Sequence, residues 1–167
     1  TNGKYVYTME AGDVTLTVEN VAAIERVVTY VNGEEEIPSA NVTVETGYKV
    51  SSLPTITARP GYTAKWMYTN SENAKVEFTT ETVVPEAGLT VEAVYTAIEY
   101  NVNIPTETIA HVTIRADKTK ATVEDKVEFT VTIEEGYTAD VKVNGTKVTL
   151  TNGKYVYTME AGDVTLT

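Results

Sequence analysis

Apolar and polar side chains alternate along several short stretches of the chain. The most regular stretch has an apolar residue at every second position: Val127, Phe129, Val131 and Ile133. Val112 and Ile114 alternate with His111, Thr113 and Arg115 in the same way. A period of two predicts strands with one buried face and one solvated face. We therefore expect a mainly β C-terminal half.

Two Asn-Gly pairs, Asn144-Gly145 and Asn152-Gly153, separate short strand candidates in that half. Asn-Gly tolerates the positive φ angles of a tight hairpin turn, so the strands at 141–143, 147–150 and 154–157 are predicted to form a meander. Val164–Thr167 starts a further strand. Six to seven short antiparallel strands favour a small immunoglobulin-like β-sandwich over residues 98–167.

The N-terminal half is less regular, but two strand faces are clear. Their apolar members are Tyr62, Ala64, Trp66 and Tyr68, and then Leu89, Val91, Ala93 and Tyr95. Residues 27–31 followed by Asn32-Gly33 predict a hairpin. The preceding residues also fit a short amphipathic helix, although a linker followed by a strand is preferred. A helical turn is expected within Lys49–Pro54, and the boundary between the halves near Ala97–Asn103.

The two ends of the chain carry the same sequence. Thr1–Thr17 and Thr151–Thr167 are identical at all 17 positions, with an offset of 150 residues. This predicts a tandem array with a 150-residue period, although an end duplicated by cloning would give the same pattern. In the array interpretation, residues 1–17 are the C-terminal strands of a preceding repeat and residues 18–97 are one module. Residues 98–167 are the next.

In this interpretation, residues 1–17 are expected to lack the earlier strands of their own repeat, against which their apolar side chains would pack. Its apolar side chains include Tyr5, Tyr7, Val14 and Leu16. Because strand edges without partners pair with whatever strand is near, we expect this segment to fray, dock on the neighbouring module or add to another molecule.

Three segments carry a family resemblance: Gly47-Tyr48-Lys49-Val50, Pro60–Tyr68 and Leu89–Tyr95. Together they resemble the Listeria-Bacteroides repeat, the internalin B-repeat type of module. The resemblance implies a compact β-grasp-like fold for residues 18–97, occurring in tandem on secreted or wall-attached bacterial proteins, mostly without catalytic roles. The following half is similar to small β-sandwich repeats of bacterial surface proteins.

Composition agrees with a β protein and limits its partners. Counting gives 30 Thr and 25 Val, residues whose branched Cβ favours extended backbone. A net charge of -11 repels nucleic acid phosphates and anionic lipid, so neither is an expected partner. No apolar run reaches the roughly 20 residues of a membrane span, so no membrane insertion is expected. The chain has no cysteine. Covalent side-chain bonds between Lys and Asn or Asp, or between Thr and Gln or Glu, remain an open alternative to disulfides.

Few residues suggest chemistry. His111 is the single histidine, so a histidine-based catalytic site would have to include it, and a solvated surface residue is the preferred interpretation. Glu34–Glu36 and Glu134-Glu135 are interpreted as solvated turns, with calcium at a module junction as the alternative. We predict no catalytic residue, no cofactor and no metal ligand, and hence no enzyme.

One aromatic set remains a candidate ligand contact: Tyr62, Trp66 and Tyr68. Aromatics at every second strand position more often fill a core, which is the preferred interpretation. The sequence thus predicts a non-catalytic, extracellular or wall-attached spacer whose partners are neighbouring repeats of the same chain. The alternative is an adhesion module that binds host protein or glycan weakly through repeated units.

Overall fold

The computed structural model describes residues 6–167, and these residues form a mainly β protein with several sheets. Five strands form the N-terminal half: β1 (Arg26–Val31), β2 (Ala40–Val42), β3 (Tyr62–Thr69), β4 (Lys75–Glu77) and β5 (Leu89–Ala97). They make one mixed sheet in the order β2-β1-β5-β3-β4. Strands β1 and β5 run parallel, and the other neighbours are antiparallel.

The core of this half lies on one face of the sheet. The alternation predicted for β3 and β5 is confirmed, because Trp66 and Val91 are buried while Lys65 and Glu92 point outward. Tyr30 meets the Trp66 ring edge to face at 5.1 Å and the Phe78 ring at 6.1 Å. Edge-to-face pairs of this kind add to the stabilisation from buried area.

The C-terminal half has eight strands. They are β6 (Tyr100–Asn103), β7 (Val112–Ala116), β8 (Lys120–Ala121), β9 (Lys126–Ile133), β10 (Lys142–Val143), β11 (Thr146–Lys147), β12 (Lys154–Thr158) and β13 (Val164–Thr165). The sheets are β12-β9-β7, β13-β6-β8 and the β10-β11 hairpin. Val127, Phe129 and Val131 of β9 are buried in a core separate from that of the N-terminal half.

Both Asn-Gly turns of this half are confirmed. Asn144 and Gly145 have φ angles of 48° and 79°, and Asn152 and Gly153 have 51° and 75°. The predicted meander is wrong, because β12 pairs with β9 rather than with β11. The expectation of antiparallel pairing throughout is also wrong, since β13 runs parallel to β6. Turn chemistry fixes neighbouring hairpins, whereas these pairings join segments far apart in sequence.

The segment before β1 has no regular structure in its described part. Residues 6–25 form neither helix nor strand, so the preferred prediction of a linker followed by a strand is confirmed. Val18 and Val21 are 76% and 83% exposed. Tyr5 and the rest of Thr1–Tyr5 lie outside the described residues.

Among residues 6–97, the one helical turn lies at Val44–Thr46 rather than within Lys49–Pro54, where it was expected. Gly47 ends it in the left-handed conformation, with φ of 62°. Across the described residues 6–167, no helix is both long and apolar enough to cross a membrane.

The two halves touch at Gly61. Its carbonyl accepts a hydrogen bond from the Ile98 amide at 2.8 Å, just after β5. Gly61 has φ of 80°, and a Cβ atom there would lie 2.1 Å from Cγ2 of Val123. Only glycine therefore fits this contact, which holds the end of the N-terminal sheet against the C-terminal half.

Candidate functional site

His111 lies at the surface, as its place in the strand pattern predicts. Its Nδ1 is 2.8 Å from Oε2 of Glu134, and its ring stacks on Tyr137 with centroids 3.7 Å apart. The imidazole is 41% exposed. The sequence prediction that placed His111 on the strand is wrong, because His111 lies in the turn before β7 with φ of 65°, although Thr113 and Arg115 of that strand are exposed as predicted. These contacts position the ring at a turn, and they are those of a solvated histidine.

The acidic stretches are exposed. Glu34–Glu36 lie in the loop after β1, where Oε1 and Oε2 of Glu35 each lie 3.1 Å from the Thr57 hydroxyl that donates to them. Glu134 pairs with His111, and Glu135 is solvated. Within residues 6–167, no group of three or more His, Asp or Glu side chains is arranged to hold a metal ion.

Carboxyl groups with shifted pKa values all shift in one direction. Hydrogen bonds lower the pKa of Glu45, Glu81, Asp125, Asp140 and Asp163, with Lys49 and Lys147 supplying the donors to Glu81 and Asp140. A general acid at neutral pH needs a raised pKa. These carboxylates instead stabilise turns and strand ends.

The three candidate aromatics do not form one platform. Trp66 is 3% exposed, and its indole N–H donates to the Pro54 carbonyl at 2.8 Å. Tyr68 is half-buried and meets the Phe78 ring edge to face at 6.2 Å. Tyr62 is 36% exposed. Trp66 and Tyr68 thus contribute to the core, and Tyr62 alone presents much of its ring to solvent.

Tyr62 nevertheless borders a surface groove of about 400 Å³. Trp66 contributes to its lining, whereas Tyr68 lines a different depression beside β5. The other lining residues come from the irregular segment before β3, from β3, and from the end of β4 and the residue after it: Leu53, Pro54, Ile56, Ala58, Arg59, Ala64, Lys65, Glu77 and Phe78. The groove is therefore of mixed character, with apolar side chains and the charged groups of Arg59, Lys65 and Glu77 in its lining.

Arg59 is one of the groove residues that the sequence pattern did not single out. Its guanidinium lies over the Tyr95 ring, 3.8 Å from the centroid, while the Tyr95 hydroxyl donates to the Thr57 carbonyl at 2.7 Å. Lys65 and Glu77 pair at 2.6 Å on the other side. The Pro60-Gly61 turn that follows Arg59 is visible in the sequence. The contact of Arg59 with Tyr95, however, depends on the pairing between β3 and β5.

Comparisons add no relative to this description. No family model matches the chain, and neither a curated protein nor a solved structure matches it.

Proposed function

We propose that this chain is a non-catalytic unit of a tandem-repeat bacterial surface or secreted protein, and that it acts as a stalk or spacer. The observation that carries the proposal is the identity of residues 1–17 and 151–167 at an offset of 150. Near-identical units let the length of a stalk change by whole repeats without redesign of any site. The partners are then neighbouring repeats, and the location is extracellular or wall-attached.

The connections between the β-rich halves support a spacer. Inside the unit, two residues separate β5 from β6, and Gly61 packs against Val123 at this joint. Between units, residues 18–25 would connect the last strand of one repeat to β1 of the next. Eight extended residues span at most about 29 Å. A unit of this kind has one short internal joint and one longer external joint.

Sheet topology supports the finer assignment of the N-terminal half to a β-grasp-like, Listeria-Bacteroides type of module. Its first and last strands, β1 and β5, are adjacent and parallel at the centre of the sheet. The segment between β2 and β3 covers the core face, contributing Val50 and Pro54. For the C-terminal half, the separate buried core around Phe129 supports a small sandwich-like module.

Scattering from chains with one, two and three 150-residue units tests the spacer. A stalk predicts that the maximum dimension grows by a constant step with each unit. A dimension that barely grows from two units to three, as for units collapsed on one another, would reject it.

The groove beside Tyr62 favours adhesion as the second candidate function. An exposed tyrosine, an arginine stacked on an aromatic ring and a lining that mixes apolar and charged side chains are suited to weak contact with protein or glycan. Binding to host glycoprotein surfaces should then rise steeply with unit number and fall in Tyr62→Ala. Binding that is undetectable in a three-unit chain would remove this candidate.

A further inference from the structure

Strand β3 has one edge that is only partly covered. Towards β5 it is paired from Tyr62 to Met67. On its other side, β4 pairs with the last three residues of β3, and one further hydrogen bond joins the Phe78 amide to the Trp66 carbonyl at 2.7 Å. Within the described residues 6–167, no strand pairs with residues 62–65 on this side.

The backbone groups on this edge point away from the sheet. In an antiparallel sheet, successive residues turn their N–H and C=O groups to opposite sides. The Gly61 carbonyl bonds the Ile98 amide after β5, so Tyr62 and Ala64 turn their backbone groups to the open edge. The Tyr62 amide donates to the Arg59 carbonyl at 3.1 Å. Among the described residues, the Tyr62 carbonyl and both backbone groups of Ala64 have no backbone partner.

The groove described above adjoins this edge. Tyr62 and Ala64 belong to its lining, and the irregular segment before β3 adds the apolar side chains of Leu53 and Ile56. A partner that paired with the edge would therefore place every second side chain in the groove. An extended peptide has both features that this requires, because its backbone groups have the spacing of a strand and its side chains alternate.

Arg59 gives the groove a positive charge that no neighbour compensates. Its guanidinium lies over the Tyr95 ring, 3.8 Å from the centroid, and the Thr57 carbonyl fixes the Tyr95 hydroxyl. Lys65 and Glu77, the other charged lining residues, pair with each other. In the part of the chain that the structure describes, no carboxylate pairs with Arg59. A guanidinium held on an aromatic ring is preorganised to donate two parallel hydrogen bonds to a carboxylate.

We propose that this edge and groove bind an extended acidic peptide, which adds as a strand beside residues 62–65 and places a carboxylate at Arg59. Its backbone pairs with Ala64, and the apolar side chains that flank its carboxylate contact Tyr62 and the apolar lining. The inference deepens the adhesion candidate by naming the class of partner, and it rests on that candidate only for the biological role of the groove. A glycan has no backbone amides to pair with the edge, which separates the two ligand classes by experiment.

A peptide of defined sequence tests the proposal with the full 167-residue chain. The probe is acetyl-Val-Thr-Asp-Thr-Val-amide, whose aspartate and valines share one face when the peptide is extended. Its control peptide has lysine in place of aspartate. NMR titration of the backbone amides of the protein measures the Kd. The Ala64 amide should shift most, because it gains a hydrogen bond.

Two protein variants remove the proposed contacts one at a time. Ala64→Pro removes the N–H at the open edge, a position where a strand tolerates proline. Arg59→Gln removes the charge. Each should raise the Kd of the aspartate peptide by about fivefold or more.

A matched proline control is available in the other half of the molecule. Ala116 lies on β7, which pairs only with β9 among the described strands. The Asp117 amide bonds the Glu128 carbonyl, so the Ala116 amide points away from β9, as that of Ala64 points away from β5. Ala116→Pro is therefore the same change at an equivalent edge, and it should alter the Kd by less than about twofold.

The lysine peptide should bind the original chain about fivefold more weakly than the aspartate peptide, or less well still. The proposal is overturned if neither peptide binds, if both bind alike, or if folded Ala64→Pro binds as tightly as Ala116→Pro. The last result would indicate a ligand held by side chains alone, as a glycan is. Should Ala64→Pro fail to fold, Arg59→Gln and the lysine peptide decide. Peptide binding without binding of a three-unit chain to host surfaces would reject adhesion and leave this assignment standing.

Discussion

Leu166 and Leu16 offer a comparison in which local sequence is held constant. Each is followed by threonine and preceded by the same fifteen residues, so intrinsic strand propensity is the same for both. Leu166 is fully buried, whereas Leu16 is 79% exposed. Any difference between Leu166→Ala and Leu16→Ala therefore measures tertiary packing.

The expected difference is large for a half of about 70 residues. Truncation of a fully buried leucine costs about 2–5 kcal/mol, as lost transfer free energy and as the cavity left behind. An exposed leucine should change the free energy of unfolding by no more than about 0.5 kcal/mol. In a domain of this size, about 2 kcal/mol lowers the midpoint of thermal unfolding by at least about 8 °C.

Two probes separate the halves in dilute solution. Far-UV circular dichroism follows both halves, and the fluorescence of the single tryptophan, Trp66, follows the N-terminal half. Leu166→Ala should lower the circular dichroism midpoint and leave the fluorescence midpoint unchanged, whereas Leu16→Ala should leave both unchanged. Equal losses in the two variants would refute this assignment of buried and exposed copies.

Three further predictions concern single contacts. The backbone N–H and the side-chain amide of Asn101 donate to the Asp163 carboxylate, and these hydrogen bonds hold the pKa of that carboxyl below its ordinary value of 3.8. The stability that this carboxylate contributes is therefore present above pH 3.8 and is lost as the pH falls through the folded-state pKa. Asp163→Asn should therefore flatten the decline of the urea midpoint below about pH 4, and an unchanged decline would count against it. Gly61→Ala should lower the free energy of unfolding by about 1 kcal/mol or more. Adding Val123→Ala should restore part of that loss, because it relieves the clash with the new Cβ but not the strain of the positive φ at residue 61. Additive effects of the two substitutions would argue against the contact. The buried Tyr30 hydroxyl has no hydrogen-bond partner among the described residues. Tyr30→Phe should therefore leave the free energy of unfolding, measured by urea titration, unchanged or raise it by about 1 kcal/mol. A loss beyond about 1 kcal/mol would contradict this.

Elements that depend on neighbouring residues could be predicted from the sequence. The period of two located β3, β5, β7 and β9, because a half-buried strand shows its two faces in the alternation. The turn at Asn144-Gly145 followed from the positive φ that this pair accepts.

Pairings between distant segments could not be predicted. The parallel contacts of β1 with β5 and of β13 with β6 join strands far apart in the chain, and no local pattern encodes which edge a strand joins. For the same reason, the alternation of aromatic residues grouped Tyr62, Trp66 and Tyr68 as one candidate set. In the structure Trp66 is buried, Tyr68 is half-buried and Tyr62 is exposed. Arg59 reaches the groove through a stacking contact that exists only after the sheet has formed.

Residues 6–17 and 156–167 have one sequence, but in the described residues 6–167 Leu166 is buried and Leu16 is 79% exposed. Amide hydrogen exchange by NMR tests this most directly, because assigned resonances distinguish the identical segments in one dilute chain. The Leu166 amide, bonded to the Asn103 carbonyl, should exchange at the rate set by unfolding of the C-terminal half, while the Leu16 amide should exchange close to the unfolded rate. Equal protection of Leu16 and Leu166 would show that the leading copy is folded too, and would contradict the assignment of residues 151–167 as the strands that complete each repeat.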